Sequence, residues 1–240
     1  MDGSAADSIA PNKSAVAGLG RTAAVLAAGA VHLAVLFAPA LVRGPLADVL
    51  GDPVLACFAL LATCFYLVEA LGSSAADAGL PGRSEAPSWL PGATGLVLLL
   101  VFWTGIVERI ANQPTVDGPV AVLIAVAGGA FFVAGIWLRH RAIRELSSWF
   151  VSEVRVVPGQ PLVTHGLYAR LRHPSEAGNL CLGAGAALLL GGPVAGATVG
   201  LLLVPLVLWR IRLEDRLLRR HHGDAFRRYA ATVPALIPKV

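Results

Sequence analysis

A chain of 240 residues with 56% hydrophobic side chains, only 14% charged ones and a mean hydropathy of +0.70 lies outside the composition of soluble domains, which carry roughly 25% charged residues. The formal net charge is +4, with neither a basic stripe nor aromatic interleaving, so no nucleic-acid partner is indicated. Cys57, Cys64 and Cys181 all sit in apolar stretches without metal-ligand spacing, which predicts reduced packing residues and no metal site.

Residues 1–21 read as a flexible cytosolic tail, and Asp2 and Asp7 ahead of a long apolar run argue against a cleavable signal peptide. Charges are then nearly absent from Thr22–Val42, Val54–Val68, Pro91–Val107, Val120–Leu138 and Ala177–Trp209. A helix needs roughly 20 residues to cross the hydrocarbon, so these blocks predict membrane helices. Arg43-Gly44-Pro45, Gly51-Asp52-Pro53, the polar stretch Gly72–Gly92 and Asp117-Gly118-Pro119 punctuate them. His32 is expected to be a satisfied packing residue, Glu69 to snorkel, and Glu108-Arg109 to form an ion pair on the outer side. Trp89, Trp103, Trp137, Trp149 and Trp209 read as interface anchors.

Arginines crowd residues 139–172 and again 210–228, so both stretches, and with them the N-terminus, are expected to face the cytoplasm. Arginine-over-lysine usage hints at a GC-rich genome, and the expected location is a bacterial inner (plasma) membrane. With both flanks on one side, the last block must enter the membrane and return. As a single helix it would be roughly 50 Å long. Gly191-Gly192-Pro193 is its natural turn, predicting a hairpin of two short limbs over 177–209. The expected architecture is all-α: four transmembrane helices in 22–138, then a region 139–240 made of a cytoplasmic loop, the hairpin and an amphipathic tail.

The polar residues of the two arginine-rich stretches are the natural place for a site. Pro174 disfavours helix at His173 and can itself begin one, which puts Arg172 and His173 at a helix entrance. Arg210 and Glu214 stand four apart on a helix and share a face. Near the membrane interface such groups are either functional or a snorkelling surface pair, and spacing alone leaves both open.

Three linked patterns resemble the isoprenylcysteine carboxyl methyltransferase family and its phospholipid methyltransferase relatives. The first is Gly166-x-Tyr168-x-x-x-Arg172-His173-Pro174, preceded by Leu162-Val163-Thr164. The second is Arg210-x-x-x-Glu214-Asp215. The third is Gly223-x-x-Phe226-x-x-Tyr229 with Val233-Pro234 and Ile237-Pro238. The resemblance implies an S-adenosyl-L-methionine-dependent enzyme acting on a lipophilic acceptor among membrane lipids, foremost the carboxylate of an isoprenylcysteine. It implies Gln160, Pro161, Leu162, Val163, Tyr168, His173, Pro174, Ser175, Glu176 and Glu214 as cofactor-lining residues. Arg210, with Arg172 as second choice, would orient the acceptor. The family usually has tyrosine where this chain has Glu176, which keeps a phospholipid, thiol or amine acceptor open. A membrane reductase using a nicotinamide cofactor and a non-catalytic membrane module are the readings from other classes.

Overall fold

Apolar runs long enough to cross a bilayer must satisfy their own backbone hydrogen bonds, and the helix is the local way to do so. In the computed structural model, which describes residues 31, 34–40, 51–73, 83–84, 87, 89–112, 118–150, 154–156 and 158–238, the chain is accordingly helical. Residues 34–40 form part of a first helical segment. It is followed by α1 (Pro53–Ser73), α2 (Leu90–Asn112), α3 (Gly118–Leu146) and α4 (Pro174–Leu190). Then come α5 (Pro193–His222), with a π-helical turn at Val199–Leu203, and α6 (Asp224–Thr232). α1, α2, α3 and α5 are each long and apolar enough to cross a membrane. The predicted tail 1–21, His32, Arg43-Gly44-Pro45 and most of the block Thr22–Val42 lie outside the described residues. A two-residue antiparallel ribbon, β1 (Arg83–Ser84) with β2 (Arg155–Val156), is added to the all-α expectation.

α4 is the central helix. Of its 17 residues, 12 are buried, and α2, α3 and α5 pack around it. Its approach to α3 is set by glycines seven residues apart on each helix, Gly128 and Gly135 facing Gly178 and Gly185. A Cβ built on Gly135 would lie 2.8 Å from both the Gly178 carbonyl oxygen and the Leu182 nitrogen; one on Gly185 would lie 2.5 Å from the Phe132 nitrogen. Small residues at these positions let the two backbones touch, the usual way helices associate in lipid. Beyond this seam Phe58, Phe102 and Phe132 meet with ring centroids 5.4–5.8 Å apart.

The hairpin turns where the sequence places it. Gly191 adopts φ +70°, the left-handed region that glycine enters without strain, and Pro193 starts α5. Its limbs are unequal, however. α5 runs on through Arg210 to His222, for 30 residues in all, because Arg210–Leu218 are mostly good helix formers and contain no breaker. For the same reason α3 continues past Leu138, so Arg139, Arg141 and Arg144 are helical rather than in a loop.

At the turn, Glu108 accepts the Val194 and Ala195 N–H groups, each at 2.9 Å, and so caps α5. This corrects the expected Glu108–Arg109 pair: successive helical residues do not face each other. Arg109 instead reaches Asp52 (2.8 Å), which also accepts the Val54 N–H at the start of α1.

Candidate active site

The glycine seam fixes more than packing. One turn beyond Gly135, the Arg139 stem lies over Gly178, which delivers its guanidinium to the first turn of α4. There Nη1 donates to Ser175 Oγ (3.1 Å) and Asn179 Oδ1 (2.8 Å), while Nε donates to Glu69 of α1 (3.0 Å) and Nη2 to its other oxygen. Glu69 is therefore held, rather than snorkelling as the sequence suggests. Asn179 Nδ2 donates to Glu176 Oε2 (3.1 Å), and Glu176 Oε1 accepts from Arg210 Nε of α5 (3.0 Å). A chain of polar contacts thus runs through four helices, with Glu176 and Asn179 only 5% and 4% exposed. Burial of charge at this level is tolerated only where partners are complete.

A second cluster ties the tail to the loop. The two ring nitrogens of His173 face carboxylates, Nδ1 at 3.2 Å from Glu214 and Nε2 at 2.8 Å from Asp215. Arg172 donates to Asp215 (2.9 Å) and to the carbonyls of Ala230 (3.1 Å) and Val233 (2.6 Å). The Arg172 and His173 backbone N–H groups donate to Pro234 and Ala235, and the Tyr229 hydroxyl donates to the Tyr168 carbonyl (2.6 Å). The third sequence pattern is therefore a clasp: α6 and the segment through Ala235 are pinned over the helix entrance.

Burial alone would drive His173 toward neutrality, but the Glu214 charge and the hydrogen bonds to Asp215 and Glu214 outweigh it and raise its pKa to about 9. Burial also pushes the Tyr168 hydroxyl well up and the Tyr229 hydroxyl to about 12. An unfolded histidine titrates near 6.5, so the folded pKa is the higher one. The clasp then contributes its full stability below pH 6.5 and loses it as pH rises through about 9. The melting temperature in detergent is expected to fall by about 3–8 °C between pH 7 and 9.5, and His173→Gln should largely remove that dependence. An equal fall in both proteins would show that the clasp is not governed by His173.

The two clusters border one cavity of about 500 Å³, within the range of roughly 300–1,000 Å³ typical of small-molecule sites. Its polar end carries Arg139, His173, Glu176, Arg210 and Glu214, with Gln160 and Arg155 beside them. Phe65, Leu98, Leu99 and Phe102 of α1 and α2 form an apolar wall, and Tyr66, Trp149 and Phe150 add aromatic surface. The Glu214 side chain, on His173 at one oxygen, stays 39% exposed toward this space. Carboxylates, guanidinium groups and aromatic faces together suit a ligand with ammonium, hydroxyl, carboxylate and heteroaromatic parts.

Of the residues singled out in the sequence, Gln160, Tyr168, Arg172, His173, Pro174, Ser175, Glu176, Arg210 and Glu214 all line the cavity. Pro161, Leu162 and Val163 do not: Pro161 is exposed and the other two are half-buried outside it. Arg172 lines the wall, yet its Nη1 and Nη2 contacts hold the tail. Glu69, Arg139 and Asn179 are the residues that sequence reasoning missed.

Residues 127–220 match the model of the isoprenylcysteine carboxyl methyltransferase family. The chain is similar to a protein-S-isoprenylcysteine O-methyltransferase of Schizosaccharomyces pombe, 39% identical over 46% of this chain and 48% of the relative. It is also similar to the B and A forms of that enzyme from Arabidopsis thaliana. The B form is 29% identical over 47% of this chain and 58% of the relative, the A form 33% identical over 33% and 40%. The chain thus spans about half the length of the curated relatives it matches. A solved structure of the eukaryotic intramembrane Ras methyltransferase of this family aligns with 77% of each chain at 22% identity and a TM-score of 0.43.

Proposed function

We propose, from the match of residues 127–220 to the isoprenylcysteine carboxyl methyltransferase family, that this integral membrane protein transfers a methyl group from S-adenosyl-L-methionine to the carboxylate of an isoprenylcysteine-like acceptor. The observation that carries the reading is the cavity itself. Its polar end gathers Arg210, Glu214, His173 and Glu176, and its apolar wall comes from membrane helices. A lipophilic acceptor can lie along Phe65, Leu98, Leu99 and Phe102 with its polar head at Arg210. The cofactor would supply an electrophilic methyl group when bound; Glu214, Gln160, Tyr168 and Ser175, which line the cavity, are the groups that would hold it.

An α-carboxylate is ionised well below neutral pH, with a pKa of roughly 3.5, so this reaction asks for no general base. It asks for alignment and a dry enclosure. Arg210 supplies orientation: its side chain is only 11% exposed, and a planar guanidinium matches a carboxylate in two-pronged geometry. The clasp of α6 over the helix entrance supplies the enclosure. The arginine-rich ends of α3 and α5 support a cytoplasmic position for this mouth by the positive-inside rule.

The Glu176–Arg210 contact supports a second reading, in which the acceptor carries no carboxylate because the cation is already matched. Methyl transfer from radiolabelled S-adenosyl-L-methionine to a prenylcysteine, a phosphatidylethanolamine and a hydrophobic thiol, assayed side by side, decides between them. Label in the prenylcysteine ester supports the first reading, and label only in the amine or thiol supports the second. No label in any acceptor, with folded protein, would contradict both.

A further inference from the structure

The polar chain through the four helices has a direction. Arg139 has only donors, so it takes the Asn179 carbonyl oxygen; the amide nitrogen is thereby turned to Glu176. That contact holds Oε2 and leaves Oε1 for Arg210. We infer that Asn179, oriented by Arg139, is a positioning residue that sets where the Arg210 guanidinium stands through Glu176. This rests on the proposed role of Arg210 toward a carboxylate acceptor.

The relay solves a problem posed by Glu176. Left alone, a buried carboxylate beside Arg210 would take the guanidinium face to face and withhold it from an acceptor. Asn179 holds Oε2, so the carboxylate meets Arg210 through Oε1, at Nε. Asn179 lines the same cavity, but its amide is engaged at both ends, the oxygen by Arg139 and the nitrogen by Glu176, so its influence on the acceptor runs through Arg210. The charged and titratable groups around it are Glu69 on α1, Arg139 on α3, Glu176 on its own helix, Arg210 and Glu214 on α5, and His173 and Tyr168 in the loop.

Asn179→Asp keeps the shape and the Arg139 contact but sets two carboxylates against each other. Glu176 is then repelled, and Arg210, which it holds at Nε, is displaced.

The test uses the full chain in detergent with radiolabelled S-adenosyl-L-methionine and N-acetyl-S-farnesylcysteine. In the N179D variant the acceptor KM is expected to rise about tenfold at pH 8, while kcat and the cofactor KM stay within about twofold. Retained melting temperature and cofactor binding establish that the variant is folded. An N179D acceptor KM equal to wild type at pH 8, when Arg210→Ala raises it, overturns this inference alone. A rise in KM with kcat falling alongside also overturns it, since that is what a merely structural asparagine would give. An Arg210→Ala enzyme with wild-type acceptor KM and turnover, or a wild type that does not methylate this acceptor, overturns the underlying reading instead.

Discussion

Replacing Arg210 by alanine is expected to lower kcat/KM for acceptor methylation by about 10²- to 10³-fold, the loss usual for a preorganised charged group at a reacting centre. The cofactor's affinity should change by less than about threefold, because Glu214 keeps its contact with His173. The variant also leaves Glu176 buried beside a missing cation, a situation that can itself destabilise by about 3–5 kcal/mol. Arg210→Lys separates the two effects. It keeps the charge for Glu176, and so the fold, but loses the planar fork that fits a carboxylate. Steady-state assays of both variants, with melting temperatures beside them, should show lysine restoring stability more fully than activity. An alanine variant with wild-type turnover and acceptor KM would remove Arg210 from the site.

The largest effect on folding is expected at the glycine seam. Gly185→Leu puts a Cβ 2.5 Å from the Phe132 nitrogen, where the nearest atoms are backbone and cannot turn aside. The clash should cost more than about 4 kcal/mol, in the exceptional class of single substitutions. No folded protein should survive size-exclusion chromatography in detergent. Gly196→Leu is the control, since Gly196 is exposed and nothing lies within 4 Å of its Cβ position. It should be recovered at wild-type yield. Equal recovery of the two variants would mean that α3 and α4 do not approach as closely as described.

These two expectations mark where sequence reasoning reached and where it stopped. The hairpin was legible because Gly191-Gly192-Pro193 states both the turn and the next helix start locally, and the arginine placement required a turn there. The pairing of Arg172-His173 with Glu214-Asp215 was legible only as two motifs flanking one hairpin; the contacts between them are made by folding. Helix ends were misjudged where charge was taken as a stop signal. Arginine is a good helix former, so α3 and α5 run on past the apolar edge and carry Arg139 and Arg210 with them.

Glu69, Arg139 and Asn179 were missed for a different reason. They stand at the edges of apolar blocks, and the contacts that link Arg139 to Glu69 and to Asn179 span 70 and 40 residues. One local signal was available: Gly128 and Gly135 recur at the spacing of Gly178 and Gly185, which brings the helix ends carrying Arg139 and Asn179 together. Pro161, Leu162 and Val163 follow Gln160 in the chain but are not among the residues that line the cavity.

The claim on which the account turns is that the cavity holds S-adenosyl-L-methionine through Glu214. The direct measurement is calorimetric binding of that molecule to detergent-purified protein, wild type against Glu214→Ala, with circular dichroism confirming the fold of each. Saturable binding by the wild type, weakened at least about tenfold in the variant, is the predicted result. Folded wild-type protein that binds none of it, or binds NADPH in its place, would contradict the account.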